Sequence, residues 1–310
     1  MTTWPIRGGT TCFNEHYFFP NETALTAIDC GIRASIGHVV MNVPNKWAQD
    51  EDEYIAKAVD AYKNRPQHEL ISWTVAPQGA YTNSDSSLTK ARQLAEDYQL
   101  PMHMHLHETT TELEIDKANY GKHPIQRLYD LDILYDKFMA VHMVHVNDEE
   151  LELIKEKKVH IVHCPESNLK LASGFAPIKK YIDHGLNVCL GTDGAASNND
   201  LDMFGELRVA SMLAKALSQD STAIPAIEAL KMATLNGAKA LGLDHIIGSI
   251  ETGKAADIIA IDLGHFTTQP VYNPASHLAY ASSRLQVSDV WIAGKQLLKN
   301  GEFTQLDIDK

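Results

Sequence analysis

Three histidines at alternate positions, closed by a carboxylate, stand in Met102-His103-Met104-His105-Leu106-His107-Glu108. Side chains alternate across a strand, so in an extended run His103, His105 and His107 share one face. Neutral imidazoles are zinc-type ligands, and a nearby carboxylate that is not a ligand can move protons for water at the metal. A lone strand histidine is more often structural; three on one face beside an acid bring the two readings level. His105 and Glu108 form an H-x-x-E arrangement, whereas the helical zinc motif H-E-x-x-H is absent from the sequence.

One strand does not complete a metal site. His142, in Val141-His142-Met143-Val144-His145, ends another apolar run and would by itself be read as a histidine bonded beneath a loop. Asp193 lies in Leu190-Gly191-Thr192-Asp193-Gly194, where an apolar strand meets a small-residue turn. It either caps that turn or aims a carboxylate at a pocket, where it could ligate metal and polarise water. Gly194-Ala195-Ala196-Ser197-Asn198-Asn199 then allows close backbone approach and polar lining. In His163-Cys164-Pro165-Glu166-Ser167-Asn168 the adjacent His and Cys would point to opposite strand faces, so a Cys–His dyad is not expected. That segment reads as loop-shaping and pocket-lining.

The elements that must position these residues alternate. Strands are expected at Thr10–Tyr17, Ile32–Met41, Leu70–Ala76, Pro101–Leu106, Phe138–His142, Val159–Cys164 and Asn187–Gly191. Helices are expected at Glu22–Cys30, Glu51–Asn64, Ser86–Tyr98, Pro124–Leu131, Asp148–Lys157 and Pro177–Asp183, with Asn21, Ser84 and Asn147 as caps. Strand–helix alternation implies a parallel sheet. Gln78, His105 to Glu108, His142, Cys164 to Glu166 and Asp193 all fall at strand ends, as in a (β/α)8 TIM-type barrel. Arg7-Gly8-Gly9-Thr10 precedes a strand, which does not suit the phosphate loop of a doubly wound sheet. Seven strands are one short of closure, and Ile6-Arg7-Gly8-Gly9 reads as the last turn of a helix. The expectation is therefore an α/β barrel lacking its first strand, spanning 1–247.

Longer helices are expected at Leu201–Ser218 and Ala223–Leu241. From Gly248 the texture turns β-like, with runs at Ile258–Asp262, Val287–Ile292 and Gln296–Lys299 and a hairpin turn at Ala293-Gly294. Residues 248–310 are thus expected to be the remainder of a small β-sandwich appendage.

A chain of 310 residues can bury a full core, and its formal charge of −13 carries no long acidic block. That balance argues against nucleic acid or an anionic membrane as partner. Four scattered cysteines without a C-x-x-C pair, and a start without a basic, apolar leader, favour a reducing, cytoplasmic setting. No apolar run is long enough to span a bilayer.

Six segments in order resemble the amidohydrolase superfamily, in its cytosine-deaminase-like and chlorohydrolase-like branch, and most nearly 5-methylthioadenosine/S-adenosylhomocysteine deaminases. They are Ile6 to Asn14, His105 to Thr109, Val141 to His145, Cys164 to Leu171, Gly191 to Asn199, and Gly248 to Asp257. The resemblance implies one divalent metal per subunit, zinc first and iron second, with His105 and Asp193 as ligands. It implies Glu108 as the proton carrier, His142 as the histidine orienting the attacking hydroxide, and Asp193 assisting deprotonation. Gln78, Glu108, Ser167, Asn168 and Ser197 would line the pocket of a small nucleoside-type substrate, and a homo-oligomer is left open. Such families carry a His-x-His pair on the first strand, and none precedes Thr10 here. A chain beginning without that strand, and ending at Asp309-Lys310 before a final helix, is expected to be impaired as a deaminase. The same resemblance leaves guanine deaminase, triazine-type chlorohydrolase and a non-catalytic remnant as alternatives.

Overall fold

A computed structural model describes residues 3–306. The leader reading at Met1 and Thr2 and the chain end at Asp309-Lys310 lie outside them.

Seven parallel strands form one sheet in sequence order: β1 (Cys12–Glu15), β2 (Arg33–Val40), β3 (Ile71–Pro77), β4 (Met102–Leu106), β5 (Phe138–His142), β6 (His160–His163) and β7 (Val188–Leu190). All seven lie within the expected segments to a residue or two. β1 and β7 do not pair, so the sheet stays open between them. It is nonetheless curled: Asn14 on β1 reaches His103 on β4, three strands away, with Nδ2 donating to Nδ1 at 3.1 Å.

The helices are α1 (Thr3–Arg7), α2 (Pro20–Cys30), α3 (Glu51–Lys63), α4 (Asp85–Asp97), α5 (Thr110–Tyr120), α6 (Pro124–Asp130), α7 (Asp148–Glu156), α8 (Pro165–Lys170), α9 (Ile178–Asp183), α10 (Ala195–Asn198), α11 (Met203–Ser218), α12 (Ala226–Met232), α13 (Leu235–Ala240) and α14 (Pro274–Tyr280). α1 ends at Gly9, whose φ of +86° closes the helix and whose N–H bonds Ile6 O. The outward strand faces (Met102, Met104, Leu106, Phe138, Ala140, Ile161, Val188) join the buried apolar side chains of α4, α6 and α7 in one core.

Ser84 and Asn147 cap as expected, Asn147 in a reciprocal capping box with Glu150. Asn21 does not: α2 starts two residues earlier than expected with Pro20 at its first position, and Asn21 Nδ2 donates instead to Ala61 O. The single helix expected over Ala223–Leu241 is two, α12 and α13. Thr234 leaves helical geometry at φ −132°, ψ −94°, and its hydroxyl donates to Leu230 O. α5 carries no apolar stripe because Glu112 and Asp116 face inward. Asp116 is paired with Arg127 Nη1 at 3.2 Å, and Glu112 Oε1 accepts the Glu108 N–H at 2.7 Å.

A second sheet is antiparallel, ordered β11 (Glu302–Phe303), β10 (Lys295–Lys299), β9 (Val287–Ile292) and β8 (Ile258–Ile261). The β9–β10 turn has positive φ at both Ala293 and Gly294, the mirror-image geometry favoured in tight hairpins. Arg33, the first residue of β2, forks onto Asp257 just ahead of β8 and ties the two sheets together. α14 packs back on α11, with Tyr280 Oη and Ser211 Oγ 2.7 Å apart.

Candidate metal centre

β4 carries His103 and His105 on its inner face, but not His107. Pairing with β5 ends at Leu106, and His107 takes a left-handed φ of 54°. Its ring turns beneath the loops, Nδ1 donating to His145 O at 2.6 Å and Nε2 accepting the Ile125 N–H at 3.2 Å. That pattern fixes a neutral ring, and burial pushes its pKa down to about 4. The three-histidine face expected from alternation is therefore a two-histidine face. The same turn brings Glu108 back over the end of β4.

His105 donates from Nδ1 to the carbonyl of Gln78, at the end of β3, over 2.7 Å. This leaves Nε2 with its lone pair facing the barrel mouth. Burial lowers the His105 pKa, and the neighbouring His142 adds to the effect. His142 reaches the same point through an unusual backbone, φ 75°. Its Nδ1 donates to Asn168 Oδ1 at 2.8 Å, and its Nε2 lies 3.6 Å from Glu108 Oε2. The His105 and His142 rings stack at 5.5 Å. Asp193 follows β7, again left-handed at φ 62°. Its Oδ2 accepts from Ser167 Oγ (2.7 Å) and Ser197 Oγ (2.8 Å), and Oδ1 accepts the Gly194 N–H (2.7 Å). Burial by itself would raise the Asp193 carboxyl; those donors and the nearby His142 outweigh it and hold the group below its ordinary value.

One ring nitrogen each from His105 and His142 and one oxygen of Asp193 lie within 4.8 Å of one another. The donor set suits a zinc-type ion: two imidazoles, each with one ring nitrogen bonded to an oxygen acceptor, and one ionised carboxylate. Three protein ligands are what catalytic zinc sites use, with a further position left for water.

The expected pocket residues fall into two groups. Ser167, Asn168 and Ser197 direct their polar groups at Asp193 and His142, and Ser167 and Asn168 are fully buried. Gln78 is half-buried and accepts from Thr82 Oγ1 at 2.7 Å through its side chain, while its carbonyl orients His105. Glu108 is half-buried, with Oε1 accepting from Ser173 Oγ at 3.1 Å. Sequence reasoning passed over Ser173, and also His16, whose ring sits 4.8 Å from that of His105 and 4.9 Å from that of His103. His16 Nε2 donates to Ala76 O at 3.0 Å. The signal for His16 was available: it continues the alternation of Cys12 and Asn14 on the inner face of β1.

The sequence profile of the Amidohydrolase family matches residues 1–297. A 5-methylthioadenosine/S-adenosylhomocysteine deaminase of Saccharophagus degradans is 42% identical over 302 residues, covering 97% of this chain and 68% of that protein. Among solved structures, a zinc-bound adenosine deaminase from Xanthomonas campestris superposes with a TM-score of 0.96 at 46% identity, over 99% of this chain and 71% of its own. A zinc-complexed atrazine chlorohydrolase from Arthrobacter aurescens gives a TM-score of 0.92 at 25% identity, over 99% and 72%. With a profile match across nearly its whole length and a metal-type cluster at the ends of its parallel strands, the chain belongs to the amidohydrolase family.

Proposed function

We propose that this chain is a hydrolytic deaminase of adenosine-type nucleosides, 5-methylthioadenosine or S-adenosylhomocysteine, working at one divalent ion, zinc first and iron second. The observation that supports it most is the convergence of His105, His142 and Asp193 within 4.8 Å, with Glu108 Oε2 3.6 Å from His142. His105, His142 and Asp193 would hold the ion, which supplies acidity that brings the pKa of water toward neutrality. Asp193, kept ionised by its hydroxyl and amide donors, accepts a proton from the attacking water. Glu108 carries one of the two water protons to the purine ring nitrogen and relays the other, taken up by Asp193, to the departing amine, completing loss of ammonia. Through its place on the ion His142, its tautomer fixed by Asn168, would set where the attacking oxygen lies. Ser167, Ser197 and Asn168 serve the substrate by holding Asp193 and His142 in place, and Gln78 offers its carboxamide to the base. A small nucleoside is the partner in this reading; among the described residues no helix is long and apolar enough to cross a membrane.

Relatedness favours this over chloride release, because the deaminases are matched at 42 to 46% identity and the chlorohydrolase at 25%. Metal analysis combined with an ammonia-release assay on methylthioadenosine and a chloride-release assay on a chlorotriazine tests the reading. Bound zinc with ammonia release, lost in Glu108→Gln while the zinc stays, supports it. Chloride release without ammonia would refute the deaminase assignment.

A further inference from the structure

Behind the metal centre lies a carboxyl group with no part in the chemistry above. Glu206, on α11, is fully buried, with no exposed route to substrate. Its Oε1 accepts from Asn198 Nδ2 at 2.7 Å, and its Oε2 accepts the Glu166 N–H at 3.1 Å. Those two partners belong to the two segments that hold Asp193. Glu166 is the second residue of α8 and is followed by Ser167 and Asn168; Asn198 closes α10, next to Ser197. We propose that Glu206 and Asn198 clamp these segments together, making Glu206 a positioning residue for the metal centre. The proposal rests on the metal-site reading for its function, and on these bonds for its existence.

Further geometry agrees. Asn198 spends its carbonyl on the Leu201 N–H at 2.6 Å and the Asp200 N–H at 3.3 Å, so it also fixes the turn into α11. Asn198 Nδ2 lies 3.2 Å from Glu166 Oε2, so one amide group touches both acids. Gly205 keeps α11 close: a Cβ there would fall 2.6 Å from Glu166 Oε1. On the exposed side Lys170 Nζ bridges the same two segments, donating to Ala196 O at 2.7 Å and Asn199 Oδ1 at 2.5 Å. Burial, with nearby Glu166 and other acids, pushes the Glu206 carboxyl up to about 9. At neutral pH it is therefore an uncharged hydrogen-bonding group that does not compete with Asp193 for a cation. The consequence is mechanical: both hydroxyls converge on Asp193 Oδ2 only while α8 and α10 keep their spacing.

The test uses Asn198→Ala, Glu206→Ala and the double variant of the metal-free chain, read by amide hydrogen exchange over residues 193–199 and by zinc affinity in a chelator competition. Each single change should raise exchange in that segment severalfold and weaken zinc by about tenfold, the lower end for groups that orient ligands. The double variant should be no worse than the worse single, because either change opens the same clamp. Unchanged exchange in Asn198→Ala, the milder substitution, or losses that multiply in the double variant, would overturn the clamp. Exchange decides the clamp even if the unaltered chain binds no zinc; that result would overturn the metal reading and leave the clamp supported.

Discussion

Asp257→Ala should destabilise the chain by about 3–5 kcal/mol, the usual cost of leaving one buried charge without its partner. Arg33 is 4% exposed, and its fork is complete: Nε to Asp257 Oδ2 at 2.8 Å, Nη2 to Oδ1 at 3.0 Å, and Nη1 to Glu69 O at 3.1 Å. Asp257 Oδ1 also accepts the Ala293 N–H at 2.8 Å, so the truncation removes a bond to the β9–β10 turn as well. Burial works against the charged guanidinium, yet the bonds and charge of Asp257 outweigh it and hold Arg33 above its ordinary pKa. The pair thus persists because it is paired and not because ions are welcome there. The double replacement Arg33→Met with Asp257→Leu should accordingly cost less than Asp257→Ala alone, since exchanging both charges for apolar groups is often nearly neutral. Urea unfolding followed by circular dichroism measures all three chains. A cost below about 1 kcal/mol for Asp257→Ala, or a double variant less stable than the single, would refute the reasoning.

Asn168→Ala removes the acceptor that fixes the His142 tautomer, so zinc affinity should fall by about 10- to 100-fold in a chelator competition, with the fold retained. The stability of the metal-free chain should peak near neutrality. His38 and His107 are held at about 4, and His103 and His163 at about 3, in each case chiefly by burial. The unfolded chain therefore binds more protons on these rings below the ordinary histidine pKa, and stability falls as pH drops from about 6.5 toward 4. Glu112 and Glu206 are held by burial at about 8 and about 9, so the folded chain keeps their protons. Their contribution is lost as pH rises through those values, at about 1.4 kcal/mol per proton per pH unit. Urea midpoints measured from pH 4 to 9 check the shape; a monotonic rise across that range would contradict it.

All seven parallel strands of the barrel sheet were legible because each is a short β-type run between turn or helix signals. Helices with an apolar stripe were equally plain. α5 was not, because its inward positions are Glu112 and Asp116, whose burial is made tolerable by Arg127 and the Glu108 amide, far off in pattern if not in space. α8 and α10, of six and four residues, are too short for a periodicity to show.

The sequence by itself determined the chemistry-bearing residue types, their order and their placement at strand ends, since alternation and turn residues are local properties. It did not determine which of them meet. Alternation put His107 beside His105, whereas a single left-handed residue sends it under the loops. His142 and Asp193 reach the His105 nitrogen through positive φ angles of 75° and 62° that no side-chain pattern announces, and that only the surrounding packing can hold. The donors that keep Asp193 ionised, and the Glu206 clamp behind them, come from segments far apart along the chain. Curling of the sheet sets those distances, and curling is a property of the whole sheet.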